Sequence, residues 1–450
     1  MSNYSELLEK IKTKSLHVGI IGLGYVGLPL AIEFALAGFK VYGIDINKNK
    51  IQDLREKKSY IIDVSEEKLS NVIESGNFIP TSDYSVIQDL DAISICVPTP
   101  LTKSQEPDMS YIMSTVSNIK NNMHEGLLIT LESTTYPGTT EELIEKELEL
   151  AGYNVGENYF LCFSPERVDP GNEKYNTKNT PKVIGGTTTN CTNLGETLYG
   201  TVIDNIVPVS STKVAEMSKL LENTFRSINI AFINEMALLC DKLNIDIWET
   251  IDAANTKPFG FMKFTPGPGI GGHCIPLDPM YLSWKAKESN FYSHFIELAQ
   301  ETNKKMPEYV YRKVSESLNE HGKSIKGSKI LILGMAYKPD IDDLRESPGL
   351  EIYELLKAGG GVVEYNDPHA TSFKDKNGQK VLSIDLTYEA ISLYDCVVLI
   401  TNHKVYDLEN VHNNSKLIVD TRNALKNLKN SNKVFTLGLG NEKNSSLLEV

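Results

Sequence analysis

The sequence predicts an α/β protein made of two doubly wound, mostly parallel sheets joined by a long central helix. Three observations carry this reading. From Leu16 short apolar runs alternate with amphipathic stretches, a second series of the same kind begins near Lys329, and residues 210–255 between them contain no glycine or proline. At 450 residues the chain exceeds one ordinary core, so two or three domains are expected.

In the first series "LHVGIIGLG" reads as a strand, "LPLAIEFALAG" as a helix, "KVYGIDIN" as a strand and "KIQDLREKK" as a helix, with "LDAISICVPTP" and "EGLLITLEST" as further strands. Strands separated by helices of this length imply right-handed crossovers and a parallel sheet. The second series, "SKILILGMA", "GLEIYELLKAGG", "GVVEYNDP", "YDCVVLITNH" and "SKLIVDTRN", reads the same way. Between them, apolar residues at 217, 220, 221, 225, 228, 232 and 236 fit helical spacing, which gives one long helix or two in series. Met217, Leu220, Leu221 and Phe225 are expected on its core side, and the last dozen residues read as frayed.

Composition narrows the function. With 41% hydrophobic and 23% charged residues the chain reads as a soluble globular protein. A net charge of -14 without a Lys/Arg-dense tract argues against nucleic acid or an anionic membrane surface as partner. The six cysteines lie singly, without a CxxC pair, which points to a reducing, cytoplasmic compartment. None of the eight histidines falls in a metal-ligand cluster, so no metal is expected. The start lacks a secretion-signal layout, and five glycines, a proline and Glu33 make "VGIIGLGYVGLPLAIEFALAG" a buried strand, turn and helix rather than a membrane span.

"GLGYVG" places Gly22, Gly24 and Gly27 around Tyr25 and Val26, after an apolar strand and at the start of a helix. A second strand ends at Asp45, eighteen residues beyond Gly27. Glycine permits the turn, the second glycine admits a pyrophosphate, and the helix terminus offers N–H groups to the anion. Asp45 would accept from a ribose 2′-hydroxyl and repel a 2′-phosphate, so the first half reads as a Rossmann-like domain for NAD rather than NADP. The alternative is a tight turn without ligand and a solvated Asp45. The second half is Rossmann-like without that glycine spacing; its "LGMAYKPDIDDLRESP" offers Lys338 and Arg345 at the carboxyl end of a strand, either to hold a nucleotide diphosphate or as surface ion-pair residues.

"GPGIGGHCIPLDP" sets Cys274 on a glycine-rich loop, four residues before Asp278, read as the cap of a helix with Pro279 at its first position. N–H groups and a helix dipole there would lower the thiol pKa. Glycines around it would let substrate approach the backbone. The other five cysteines read as small hydrophobes. On the central helix Lys219, Asn223 and Arg226 share one face, as a solvated stripe or as oxyanion and phosphate contacts. Glu166 and Arg167 sit in "SPERVDPGN", which composition alone leaves as a turn.

Taken together, "IGLGYVGLPLA" with Asp45, "VPTP", "ESTTYPGTT", "SPERVDPGN", "AEMSKLLENTFRSINIAFINE", "GPGIGGHCIPLDP" and "GMAYKPDIDDLRESP" resemble the UDP-glucose/GDP-mannose dehydrogenase family, in order from about residue 16 to 430. The resemblance implies an NAD domain over 1–208, a central helical dimerisation region with the cysteine loop over 209–308, and a UDP-sugar domain over 309–450. It implies oxidation of a sugar C6 alcohol to a carboxylate with two NAD⁺. By motif position Cys274 resembles the nucleophile, Lys219 the group stabilising alkoxide and oxyanion charge, and Asn223 and Asp278 the residues positioning substrate and a water. Thr134 matches the hydroxyl near that water and Glu166 the carboxylate serving thioester hydrolysis. Thr99 and Thr134 would touch NAD, with Arg345 also on the cofactor, while Arg167, Val168, Arg226, Lys338 and Arg422 resemble sugar-nucleotide contacts.

One departure bears on substrate. UDP-glucose dehydrogenases of the family carry a second glutamate where this chain has Pro170, and Arg167 replaces an apolar residue. The motifs look closer to the UDP-N-acetylhexosamine branch, with UDP-N-acetylglucosamine ranked first and UDP-N-acetylmannosamine second. A single-step hydroxy-acid dehydrogenase would share the NAD turn but have no use for Cys274; a sugar-nucleotide sensor would keep both domains without chemistry. Ile228, Ile230, Phe232 and Ile233 on further sides of the central helix suggest a homodimer seam.

Overall fold

The computed structural model describes residues 2–61, 63–102, 104, 106–168, 174–428 and 432–440, so Pro170 and the end of the chain from 441 lie outside them. The chain divides into two compact units, residues 1–222 with 280–291 and residues 223–279 with 292–450.

The first unit is a sheet of β1 (His17–Ile21), β2 (Lys40–Ile44), β3 (Phe78–Thr81), β4 (Ala92–Ile95), β5 (Leu127–Leu131), β6 (Tyr159–Phe163), β7 (Lys182–Gly186) and β8 (Ile206–Val209). Their order is β3-β2-β1-β4-β5-β6-β7-β8. All neighbours run parallel except β6 and β7, which pair antiparallel. Helices cover both faces, which is why the inner strands read as unbroken apolar runs. Alternate residues still part company: Leu128 joins Phe34 and Phe160 in one core, while Leu127, Ile129 and Leu131 join Ile21 and Leu161 in the other.

The second unit carries a parallel sheet of β9 (Lys329–Leu333), β10 (Val362–Asn366), β13 (Cys396–Leu399), β14 (Ile418–Asp420) and β15 (Val434–Thr436), in the order β10-β9-β13-β14-β15, with a small antiparallel pair of β11 (Ser372–Lys374) and β12 (Lys380–Leu382). The two predicted doubly wound sheets are therefore present. No helix among the described residues is long and apolar enough to cross a membrane.

The central stretch forms two helices in series, Thr212–Leu243 and Ile247–Ala254. Asn244 breaks them with φ of 56°, and Asp246 caps the second by accepting from the N–H groups of Trp248 and Glu249. The expected core side needs correction. Leu220 is buried, but Leu221 is 57% and Phe225 46% exposed. Ala215, Asn223, Thr224 and Ser227 are buried as well, so small and polar side chains share the packed face with Leu220, while Leu221 and Phe225 point outward. Of the residues read as a seam, Phe232 is exposed and Ile233 buried.

Near the end of the long helix Asp241 accepts from Lys313 Nζ and the Tyr309 hydroxyl, both at 2.6 Å, and Lys313 is 2% exposed. Removing the carboxylate strands a buried ammonium, so Asp241→Ala is expected to destabilise the protein by about 3 kcal/mol. Urea unfolding measures this, and an unchanged midpoint contradicts it.

Candidate active site

The glycine turn follows β1 directly. Gly22 has φ of +94°, and a Cβ there would meet the Cys96 carbonyl oxygen at 2.5 Å; at Gly27 it would meet the Gly22 carbonyl oxygen at 1.9 Å. At Gly24 it would meet nothing within 4 Å. Two glycines thus close the turn, and the middle one leaves its backbone open to a pyrophosphate. The helix Gly27–Leu36 starts there without a side-chain cap; the Leu28 N–H turns back to the Gly24 carbonyl at 3.1 Å and Pro29 has none, so an anion would meet the backbone of the turn and the positive end of the helix dipole. Asp45 is not the solvated strand end of the alternative reading. It is buried, accepts from the N–H groups of Leu23 at 2.9 Å and Asn47 at 2.8 Å, and lies 3.5 Å from Lys50 Nζ. These features fit NAD.

The other candidates of this unit follow the carboxyl ends of parallel strands, where open α/β sheets bind ligands. Thr99, after β4, is buried, and its carbonyl accepts from the Tyr281 hydroxyl at 2.8 Å. Thr134, after β5, is half-buried. Glu166, after β6, lines a cleft of about 430 Å³ together with Tyr25, Val26 and Val168. Its Oε1 accepts from the N–H groups of Arg167 and Val168, both at 2.7 Å, and its carbonyl oxygen accepts from Lys219 Nζ at 2.5 Å. The Arg167 guanidinium is engaged by Glu222 at 2.8 Å and by the Pro181 carbonyl at 3.0 Å.

The cysteine helix corrects the expected boundary. It spans Cys274–Glu288 with Pro279 inside it, so Asp278 is not its cap. Pro276 sits in the first turn, where a missing N–H costs no hydrogen bond, whereas Pro279 forgoes the bond to the Ile275 carbonyl and crowds it, with a φ that otherwise suits a helix. The consequence is that Cys274 occupies the first turn itself, where helix N–H groups and dipole favour negative charge. Asp278 is 1% exposed and accepts from Asn223 Nδ2 at 2.5 Å, while Arg226 donates to Asn223 Oδ1.

The loop glycines also have a packing role that the sequence did not suggest. A Cβ on Gly271 would meet Tyr337 Cβ at 2.4 Å, one on Gly272 would meet the Tyr337 ring at 2.8 Å, and one on Gly267 would meet Arg422 Nη1 at 2.7 Å. At these three positions the missing Cβ makes room for the chain's own side chains. Gly272 N–H donates to the Arg345 carbonyl at 2.8 Å, and Gly267 N–H to Asn234 Oδ1 at 3.0 Å. Tyr337 and Asn234 lie inside the quoted "GMAYKPDIDDLRESP" and "AEMSKLLENTFRSINIAFINE" but were not singled out, because packing against a loop distant in sequence leaves no local pattern.

Arg422 Nε donates to the Ile400 carbonyl at 2.8 Å, Arg345 forks onto Asp343 with Nη2 at 2.6 Å from Oδ2, and Lys338 is half-buried after β9. Among the described residues Asp340, His369 and His403 come close enough to suggest a metal. His403 is already committed, however: Nδ1 accepts from Asp340 N–H at 2.9 Å, and Nε2 donates to Asp367 at 3.0 Å.

Cys274 is exposed, whereas Cys96, Cys162, Cys191, Cys240 and Cys396 are buried. Burial also pushes the thiols of Cys96, Cys162, Cys240 and Cys396 up. Iodoacetamide is therefore expected to label the native protein first at Cys274, with the other five reacting only after unfolding. Peptide mass mapping checks this, and early labelling elsewhere contradicts it.

Comparison with known proteins agrees with these features. The chain matches the UDP-glucose/GDP-mannose dehydrogenase family in three successive parts: the NAD binding domain over residues 16–203, the central domain over 213–305 and the UDP binding domain over 331–427. It is 35% identical over 408 residues to Protein CapL of Staphylococcus aureus, covering 90% of this chain and 93% of that protein. It is 33% identical over 419 residues to UDP-N-acetyl-D-mannosamine dehydrogenase of Methanococcus maripaludis, covering 90% and 92%. Among solved structures, UDP-D-ManNAc dehydrogenase from Pyrococcus horikoshii superposes with a TM-score of 0.86 at 31% identity, covering 94% of this chain and all of that one. An NAD-type glycine turn, a UDP binding domain and a single exposed thiol thus stand in one chain, which belongs to the UDP-glucose/GDP-mannose dehydrogenase family of NAD-dependent oxidoreductases.

Proposed function

We propose that this protein oxidises the C6 alcohol of a UDP-N-acetylhexosamine to the carboxylate, through a covalent bond to Cys274. The observation that carries the proposal is the exposed thiol in the first turn of a helix, among five buried ones. The relatives named as UDP-N-acetyl-D-mannosamine dehydrogenases favour UDP-ManNAc as donor, ahead of the UDP-GlcNAc that the sequence motifs ranked first.

NAD⁺, when bound, accepts one hydride at each of the two oxidations. The protein's own residues do the rest. Lys219 offsets the charge on the C6 oxygen as its proton leaves, with Asp278 and a water taking that proton. The Cys274 thiolate adds to the aldehyde carbon, giving a tetrahedral thiohemiacetal from which the second hydride departs. A thioester is left. Water then attacks its carbonyl carbon: a C–O bond forms, the C–S bond breaks, the water proton passes to Glu166 and the thiolate is restored. Asn223, tied to Asp278, holds that carboxylate in place, and Arg226, Lys338 and Arg422 hold the nucleotide.

The assembly is a homodimer in this reading, supported by the exposed apolar stripe Val214, Leu221, Phe225, Phe232, Leu239 and Leu243 on the long helix. Light scattering at low micromolar concentration is expected to give twice the chain mass for the native protein and one chain mass for Phe232→Asp; a native monomer contradicts it.

Supplied separately with NAD⁺, UDP-ManNAc is expected to yield two NADH per sugar with the highest kcat/KM, followed by UDP-GlcNAc, with UDP-glucose and GDP-mannose poor. One NADH per sugar would support a single-step dehydrogenase, and none with any donor a sensor. Cys274→Ala is expected to abolish net NADH formation while keeping UDP-sugar binding; turnover at the native rate overturns the covalent route.

A further inference from the structure

We propose that Lys182 is a positioning residue for the Glu166 carboxylate. It opens β7, is 5% exposed, and its Nζ lies 2.8 Å from Glu132 Oε2 and 3.8 Å from Glu166 Oε2. Glu132, 1% exposed, also accepts from the Tyr199 hydroxyl at 2.5 Å, and that hydroxyl shares a hydrogen bond with Ser94 Oγ at 2.7 Å. The Tyr199 ring lies under the ammonium, with its centroid 5.3 Å away.

Topology explains the convergence. Glu132 follows the end of β5 and Glu166 the end of β6, which run parallel; β7 pairs antiparallel with β6, so its first residue arrives at that same end of the sheet. A parallel β7 would have begun at the opposite end of the strands. Burial alone would push Lys182 down, yet the Glu132 and Glu166 carboxylates raise it, and the ammonium form is kept.

Glu132 is held by Lys182 and Tyr199 and does not line the cleft. Glu166 does line it, with Oε1 fixed by two backbone N–H groups, so the cation beside Oε2 sets the remaining freedom of the carboxylate. When that carboxylate takes the proton of the water that cleaves the thioester, Lys182 keeps it ionised beforehand and aimed.

This inference rests on the hydrolytic role proposed for Glu166, and the test separates the two. First-turnover and steady-state NADH formation are compared for Lys182→Met, Lys182→Met with Glu132→Gln, Lys182→Arg and Glu166→Gln. The paired substitution removes cation and anion together, which spares the fold the stranded charge that a single change leaves. Both Met variants are expected to release the first-turnover NADH at the native rate, then to show kcat lowered about 10- to 100-fold with kcat/KM unchanged, as when only acyl release is slowed. Lys182→Arg is expected to restore kcat. Native kcat in the paired variant, at an unchanged Tm, overturns the role of Lys182; so does a parallel fall of kcat and kcat/KM. If neither Met variant folds, Lys182→Arg decides, with native kcat in support and a loss of about tenfold or more at unchanged Tm against. Glu166→Gln without a first-turnover burst overturns the reading of Glu166 itself.

Discussion

The contact of Tyr337 with the backbone of Gly271 and Gly272 fixes where the Cys274 thiol stands. The ring comes so close that a Cβ on Gly272 would lie 2.8 Å from it, and the Gly272 N–H is bound to the Arg345 carbonyl. Gly272 also takes φ of +82°, which side-chain-bearing residues rarely adopt. Two residues later the helix begins at Cys274. The glycines therefore serve the protein's own packing first, and the exposure of the sulfur follows from it. Anything that lifts Tyr337 from the loop would release the helix start along with it.

A second constraint operates in the first unit, where a buried ammonium lies between two carboxylates. Burying charge is costly unless the geometry satisfies it, and here Tyr199 and two backbone N–H groups complete the set. The carbonyl of Glu166 meanwhile holds Lys219. One residue thus ties the buried charges of the sheet to a lysine of the long helix through its side chain and its peptide oxygen.

Much of this was legible in the sequence, and the failures have physical causes. The glycine turn is local: spacing, strand and helix lie within a few residues, and a Cβ would strike backbone at Gly22 and Gly27 but meet nothing at Gly24. The parallel sheets were legible because strands buried on both faces give unbroken apolar runs. Short strands such as Phe78–Thr81 and Val434–Thr436 carry too few residues for such a signal. Helix faces were less secure. Leu221 and Phe225 follow helical spacing but point outward, because spacing identifies a stripe without saying which partner covers it. Pro279 suggested a helix start where the structure has a helix interior, since proline is far more costly inside a helix, where it loses a backbone bond and crowds the carbonyl four residues back, than in its first turn. Lys182 and Glu132 escaped altogether. They are fifty residues apart, and only the antiparallel turn of β7 brings them together.

The central claim is a transient bond between the Cys274 sulfur and the sugar C6 carbon. Intact-protein mass spectrometry after acid quench of a single turnover tests it most directly, followed by mapping of the modified peptide. The account predicts a species heavier than the free chain by the mass of the nucleotide-linked acyl group, carried on the peptide containing Cys274 and appearing before the free acid. Product formation with the chain mass unchanged at every quench time, or an adduct on another residue, would contradict it.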